Sequence, residues 1–98
     1  MKTTIQSINF NADQKLLNLI GKKILKLKTF FSNIYVINVF LYLENNRLKT
    51  NKKIEILLRL KQKSIVVKKS SNTFESATYQ IIDTLKKQLI KQKEKKKN

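Results

Sequence analysis

The sequence predicts an α+β fold in the order β-α-β-β-β-α, a four-stranded sheet with two helices packed on one face. Three observations predict it. Apolar residues recur at spacings of three and four in two segments. They alternate at a spacing of two in the stretches between. Each helical segment carries a single apolar stripe, so both helices need one sheet face to bury against. The 98 residues, 41% of them hydrophobic, suffice for one core and one domain.

The elements follow in order. Residues 3–7 form a short opening strand centred on Ile5. Asn11 followed three residues later by Gln14 has the pattern of a capping box. Leu16, Leu17, Ile20, Ile24 and Leu27 then mark a helix over residues 12–28. After Phe30 and Phe31 the period becomes two: Tyr35, Ile37, Val39, Leu41 and Leu43 share one face of a strand, opposite Val36, Asn38, Phe40 and Tyr42. Residues 44–51 are a polar turn rich in Asn and Lys. Ile54, Ile56, Leu58 and Leu60 alternate with Lys53, Glu55, Leu57 and Arg59, which completes a long antiparallel hairpin. Residues 61–64 turn the chain into a shorter fourth strand over 65–69. Asn72 with Glu75 is a second capping-box pattern, and Phe74, Ala77, Ile81, Leu85 and Leu89 are the core stripe of a helix over 73–92. Residues 1–92 are thus expected as one domain and 93–98, rich in Lys, as a basic flexible tail.

Charge is the strongest functional signal. Lys and Arg number 22 against six acidic residues, giving a formal +16 and a pI near 10.3. Such an excess strains a compact fold by self-repulsion unless a polyanion shares the surface. AT-rich codon usage inflates Lys and Asn but does not account for so few acids. The position of the Lys matters more than their number. Lys22, Lys23, Lys26 and Lys28 lie off the apolar stripe of the first helix, and Lys86, Lys87, Lys91 and Lys93 off that of the second. Taken singly, each row is what a solvated helix face carries, near C-termini where the macrodipole favours cations. Two such helices on one side of a sheet merge their rows into one positive surface interrupted only by Asp83. A surface of this kind attracts phosphates collectively, and six contacts would cost roughly a thousandfold in affinity between about 50 and 200 mM salt. With Arg47 and Arg59 as the only guanidinium groups, backbone contact and recognition of RNA shape are expected rather than base-edge readout. Phe40 and Tyr42 on the far sheet face, with Arg59 nearby, are a rival base-stacking site.

Other classes find little support. The chain has no His, which removes the commonest general base and the usual nucleophile–base pairs. Its acids sit at helix starts, at a strand end, on a strand's polar face or among Lys, with no catalytic or metal-ligand spacing, so neither catalytic residues, metal nor cofactor is expected. Zero Cys excludes a disulfide framework. Gly21 lies inside a helix pattern and not in a phosphate loop. The N-terminus lacks an apolar signal region, and the longest apolar stretch, residues 34–43, is interrupted by Asn38; the expected location is the cytoplasm, with no membrane span.

Several of these segments carry a resemblance. The opening strand, Asn11-Ala12-Asp13 at the first helix, Leu41-Tyr42-Leu43-Glu44, Thr73-Phe74-Glu75-Ser76-Ala77 and above all Asp83-Thr84-Leu85-Lys86-Lys87-Gln88-Leu89 before a Lys-rich tail resemble the short form of the ribosome hibernation promoting factor family. That family is also called ribosome-associated inhibitor A or sigma-54 modulation protein. The chain departs from its pattern at Thr73 and Tyr79, where acidic residues are usual, and at Lys61-Gln62-Lys63, where a Pro-Gly-like turn is common. The resemblance implies a fold similar in topology to double-stranded RNA-binding domains. It implies a factor that occupies the mRNA and tRNA channel (A and P sites) of the small ribosomal subunit and silences ribosomes under stress or in stationary phase. The matching contact residues are Lys22, Lys23, Lys26 and Lys28 with Lys86, Lys87 and Lys91. The implied partners are the small subunit and its rRNA, with no small-molecule substrate and no membrane. A monomer off the ribosome is expected, and no self-driven ribosome pairing. A general double-stranded RNA-binding or ribosomal structural protein is the alternative, and a membrane-surface protein held by its Lys tail a third.

Overall fold

The computed structural model describes residues 2–44 and 51–96, with side chains through residue 92. Six elements follow the expected order: β1 (Lys2–Ile8), α1 (Gln14–Phe30), β2 (Val36–Leu43), β3 (Lys52–Arg59), β4 (Ser64–Ser71) and α2 (Phe74–Lys96). The strands lie in sequence order, β1 parallel to β2 and the remaining pairs antiparallel. The parallel β1–β2 step requires a crossover, and α1 supplies it.

Alternation decides which sheet face is covered. Ile37, Val39 and Leu41 pair across the sheet with Leu58, Ile56 and Ile54, and all six are buried. Ile65 and Val67 extend this face on β4. Leu16, Ile20, Ile24 and Leu27 of α1 and Ala77, Ile81, Leu85 and Leu89 of α2 close over it in one continuous cluster. Both helices therefore lie on the same face. The stripe of α2 is wider than its main period indicates, because Thr78 and Ile82 are buried too. Thr78 remains satisfied there by donating its hydroxyl to the Phe74 carbonyl at 2.7 Å. The predicted stripe on β2 fails at its ends: Tyr35 and Leu43 are exposed, beyond the reach of the helices.

Several local expectations need correction. Asp13, not Asn11, caps α1: its backbone is extended, and its carboxylate accepts from Lys15 N at 2.6 Å and Leu16 N at 3.4 Å. A carboxylate there satisfies orphan amides and also meets the positive end of the dipole. At α2 the capping oxygen is Thr73 Oγ1, which accepts from Ser76 N at 3.0 Å, while Asn72 accepts from the Ser71 hydroxyl. Both helices also end later than expected. α1 runs to Phe30, and α2 to Lys96, so residues 93–96 of the expected tail are helical; Lys, Glu and Gln are good helix formers, and no Gly or Pro interrupts them. β4 likewise starts at Ser64 and ends at Ser71. Most of the turn expected over residues 44–51 lies outside the described residues, but Glu44 N donates to Asn51 O at 2.8 Å and closes its base.

Before α1, Asn9 turns the chain with φ 63, a left-handed conformation that Asn tolerates better than most residues. That turn lets Phe10 stack on Phe74 at the start of α2, with centroids 5.3 Å apart and planes within 5°.

Candidate nucleic-acid interface

The strand directions set the relation of the helices. β1, β2 and β4 point the same way, so the helices that follow β1 and β4 both return against that direction and run parallel to each other. Side-chain contacts agree at successive levels. Phe10 meets Phe74 where α2 begins, Lys23 meets Tyr79 further along, and Phe30 and Phe31 at the end of α1 line a cavity with Lys86 and Ile90 of α2. Parallel packing gathers the acids Asp13 and Glu75 at the N-terminal end of the pair and most of the helix Lys toward the other. The negative ends of both dipoles point that way, and the Lys offset them.

The helical repeat then sorts the predicted residues. Lys23 is half-buried on the α2-facing flank of α1, its Nζ 5.0 Å from the centroid of the Tyr79 ring. Lys26 shares that flank and Lys22 lies at its crest, both exposed. Lys28 sits five residues from Lys23, a rotation of about 140°, which turns it to the opposite flank of α1. On α2, Lys86 faces α1 across the cavity, and Lys87 stands on the crest with its Nζ 3.1 Å from Asp83 Oδ2. That pair is exposed and contributes little to stability. Lys91 is five residues past Lys86 and, by the same rotation of about 140°, lies on the outer flank of α2. Lys93 belongs to the helical backbone of α2, and its side chain lies outside the described residues. The arrangement is an arc of ammonium groups over both helices, with Lys23, Lys26 and Lys86 converging on the interhelical groove and Lys28 and Lys91 at its margins.

Sequence reasoning missed the apolar members of this surface. Phe30, Tyr79 and Ile90 are among the most exposed large apolar side chains of the chain, and all three face the groove. The signal was available: Tyr79, Lys86 and Ile90 are spaced seven and four, one flank of a helix.

The far sheet face is a poorer site for a polyanion. The register opposes Phe40 to Glu55 and Tyr42 to Lys53, and puts Arg59 opposite Val36, away from both rings. The expectation that Arg59 lies beside Phe40 and Tyr42 is therefore corrected. The Tyr42 hydroxyl lies 3.3 Å from Glu55 Oε1, and Lys53 Nζ lies 5.4 Å from its ring centroid. Glu55 also pairs with Lys68 at 3.9 Å. A base would have to displace Lys53 and approach a carboxylate. Among the described residues no group of three or more His, Cys, Asp or Glu could hold a metal ion, and no helix is long and apolar enough to cross a membrane.

A family model described as sigma 54 modulation protein / S30EA ribosomal protein matches residues 3–97. Among solved structures, the chain is similar to a ribosomal subunit interface protein from Coxiella burnetii, with 19% identity and a TM-score of 0.83 over 95% of this chain and 98% of that one. It is also similar to the N-terminal domain of Protein Y from Thermus thermophilus, with 18% identity and a TM-score of 0.70 over 89% and 91% of the two chains. At these identities the structural likeness establishes the fold. No curated protein sequence matches the chain.

Proposed function

This chain belongs to the sigma 54 modulation protein / S30EA ribosomal protein family, a family of ribosome-associated proteins, and we propose that it is a translation-silencing factor that binds the small ribosomal subunit. In this reading the arc of Lys over α1 and α2 lies against rRNA in the channel that mRNA and the tRNA anticodon ends otherwise use. Occupying that channel under stress or in stationary phase would hold ribosomes idle. The factor acts in the cytoplasm as a monomer when off the ribosome. It carries out no catalysis, so its effect is exclusion by occupancy.

One observation carries the reading: parallel packing brings two ordinary Lys-rich helix faces into a single field, in which Asp83 is the acid paired with Lys87. Lys22, Lys23, Lys26 and Lys28 with Lys86, Lys87, Lys91 and Lys93 are the proposed RNA-binding residues. Lys offers point charges, suited to tracking phosphates along a folded RNA surface. The names of the similar structures, a ribosomal subunit interface protein among them, point the same way.

Competition sedimentation tests the proposal. The purified protein should pellet with small subunits through a sucrose cushion, and added tRNA should displace it. If naked duplex RNA displaces it as well as tRNA does, the protein is a general double-stranded RNA binder instead.

A further inference from the structure

The C-terminal end of α1 and the middle of α2 flank an open cavity of about 380 Å³ lined by Phe30, Phe31, Lys86 and Ile90. We propose that this cavity takes one unpaired RNA base, stacked on Phe30, while the Lys86 ammonium holds a neighbouring phosphate. The inference rests on the RNA-binding reading above and specifies what that surface recognises beyond charge.

The lining defines the ligand. Two aromatic rings and an aliphatic chain supply flat apolar walls, and the single polar group is a cation. Phe30 is 66% exposed and Ile90 48% exposed, so the walls are open to water and not sealed by the rest of the chain. Lys26 lies four residues before Phe30 on the same flank of α1, and with Lys86 it repels a basic partner and attracts an acidic one. A ligand that fits must present an apolar planar face and a negative charge within one residue's span, as a nucleotide does. Bases inside a duplex are stacked and paired and cannot offer that face; an unpaired base can. The volume lies toward the lower end of the range for ligand pockets.

Phe30 is also the ring best placed to accept a base. Tyr79 already carries Lys23 over its face, and Phe10 and Phe74 stack on each other. Among the described residues, neither a cation nor another ring is stacked on Phe30.

The test uses the full chain and two RNAs of equal length, one fully paired and one with a single-nucleotide bulge. The chain contains no Trp, so Phe30→Trp introduces a unique fluorophore at the proposed contact. The bulged RNA should quench its emission and the paired duplex should not. Phe30→Ala should weaken binding to the bulged RNA on the order of tenfold, leaving duplex affinity and the salt slope unchanged. Lys26→Gln should instead weaken both RNAs and reduce the slope by about 0.7–0.9. If Lys26→Gln behaves so while Phe30→Ala has no effect and Phe30→Trp is not quenched, the base site is wrong and the RNA surface stands. If neither RNA binds the wild-type chain, the RNA-binding reading fails first. A loss for Phe30→Ala on ribosomes but on neither RNA would assign the cavity to a protein side chain and overturn the proposal.

Discussion

Lys23 holds its ammonium 5.0 Å from the centroid of the Tyr79 ring, joining α1 to α2 on the side away from the sheet. This contact orients a cation of the proposed interface and also fastens the helix pair outside its buried core. Cation–π contacts at exposed sites contribute about 0.5–1 kcal/mol. Tyr79→Leu should therefore lower the urea midpoint by a corresponding small amount. In the Lys23→Gln background the same substitution should have little further effect, which a double-mutant cycle measures directly.

Helix α1 is anchored by Asp13. Asp13→Ala should destabilise the protein by about 0.5–2 kcal/mol, whereas Asn11→Ala should change stability by less than about 0.5 kcal/mol. Thr73→Ala and Asn72→Ala form the matching pair at α2. Equal losses for Asn11 and Asp13 in chemical denaturation would contradict the cap assignment.

Gly21 lies within α1 at a negative φ, and a Cβ added there would meet nothing within 4 Å. It has neither a conformational nor a packing reason to be glycine. Gly21→Ala should raise stability by roughly 0.5–1 kcal/mol through its effect on helix formation. The thermal midpoint reports this without involving any proposed contact.

The position of Lys28 gives a graded prediction. Because it points to the flank of α1 away from the groove, Lys28→Glu should weaken ribosome binding less than Lys26→Glu, although the two lie two residues apart in sequence. Pelleting with small subunits at one salt concentration compares them. Equal losses would mean that the RNA wraps the outer flank of α1 as closely as the groove.

The layout was largely legible because burial here follows simple periods. Ile37, Val39 and Leu41 and their partners Ile54, Ile56 and Leu58 all reach the core, so alternation alone located the central hairpin. What escaped depends on relations between elements. Asn11 and Asp13 are both good N-cap residues; the left-handed turn at Asn9 and the seating of Phe10 on Phe74 bring Asp13 to the helix start. The place of Arg59 followed from the hairpin register, in which pairing outward from Glu44 and Asn51 carries it to Val36. The Lys rows were visible in the sequence, but the parallel relation of the helices decides that Lys86 faces α1 while Lys91 does not. Phe30 and Tyr79 escaped for the same reason: neither belongs to an apolar stripe, and only the packed helix pair shows that both face the groove while remaining in water.

Sedimentation with purified small subunits tests the central claim most directly, comparing the wild-type chain with a variant carrying Lys23→Glu, Lys26→Glu and Lys87→Glu together. All three are surface positions outside the core cluster, so circular dichroism should show the fold retained. The account predicts that wild-type protein pellets with the subunits and the triple variant stays in the supernatant, while Phe40→Ala with Tyr42→Ala still pellets. A folded triple variant that pellets like wild type, or a loss confined to the Phe40 and Tyr42 pair, would place the interface on the other face of the sheet and contradict the account.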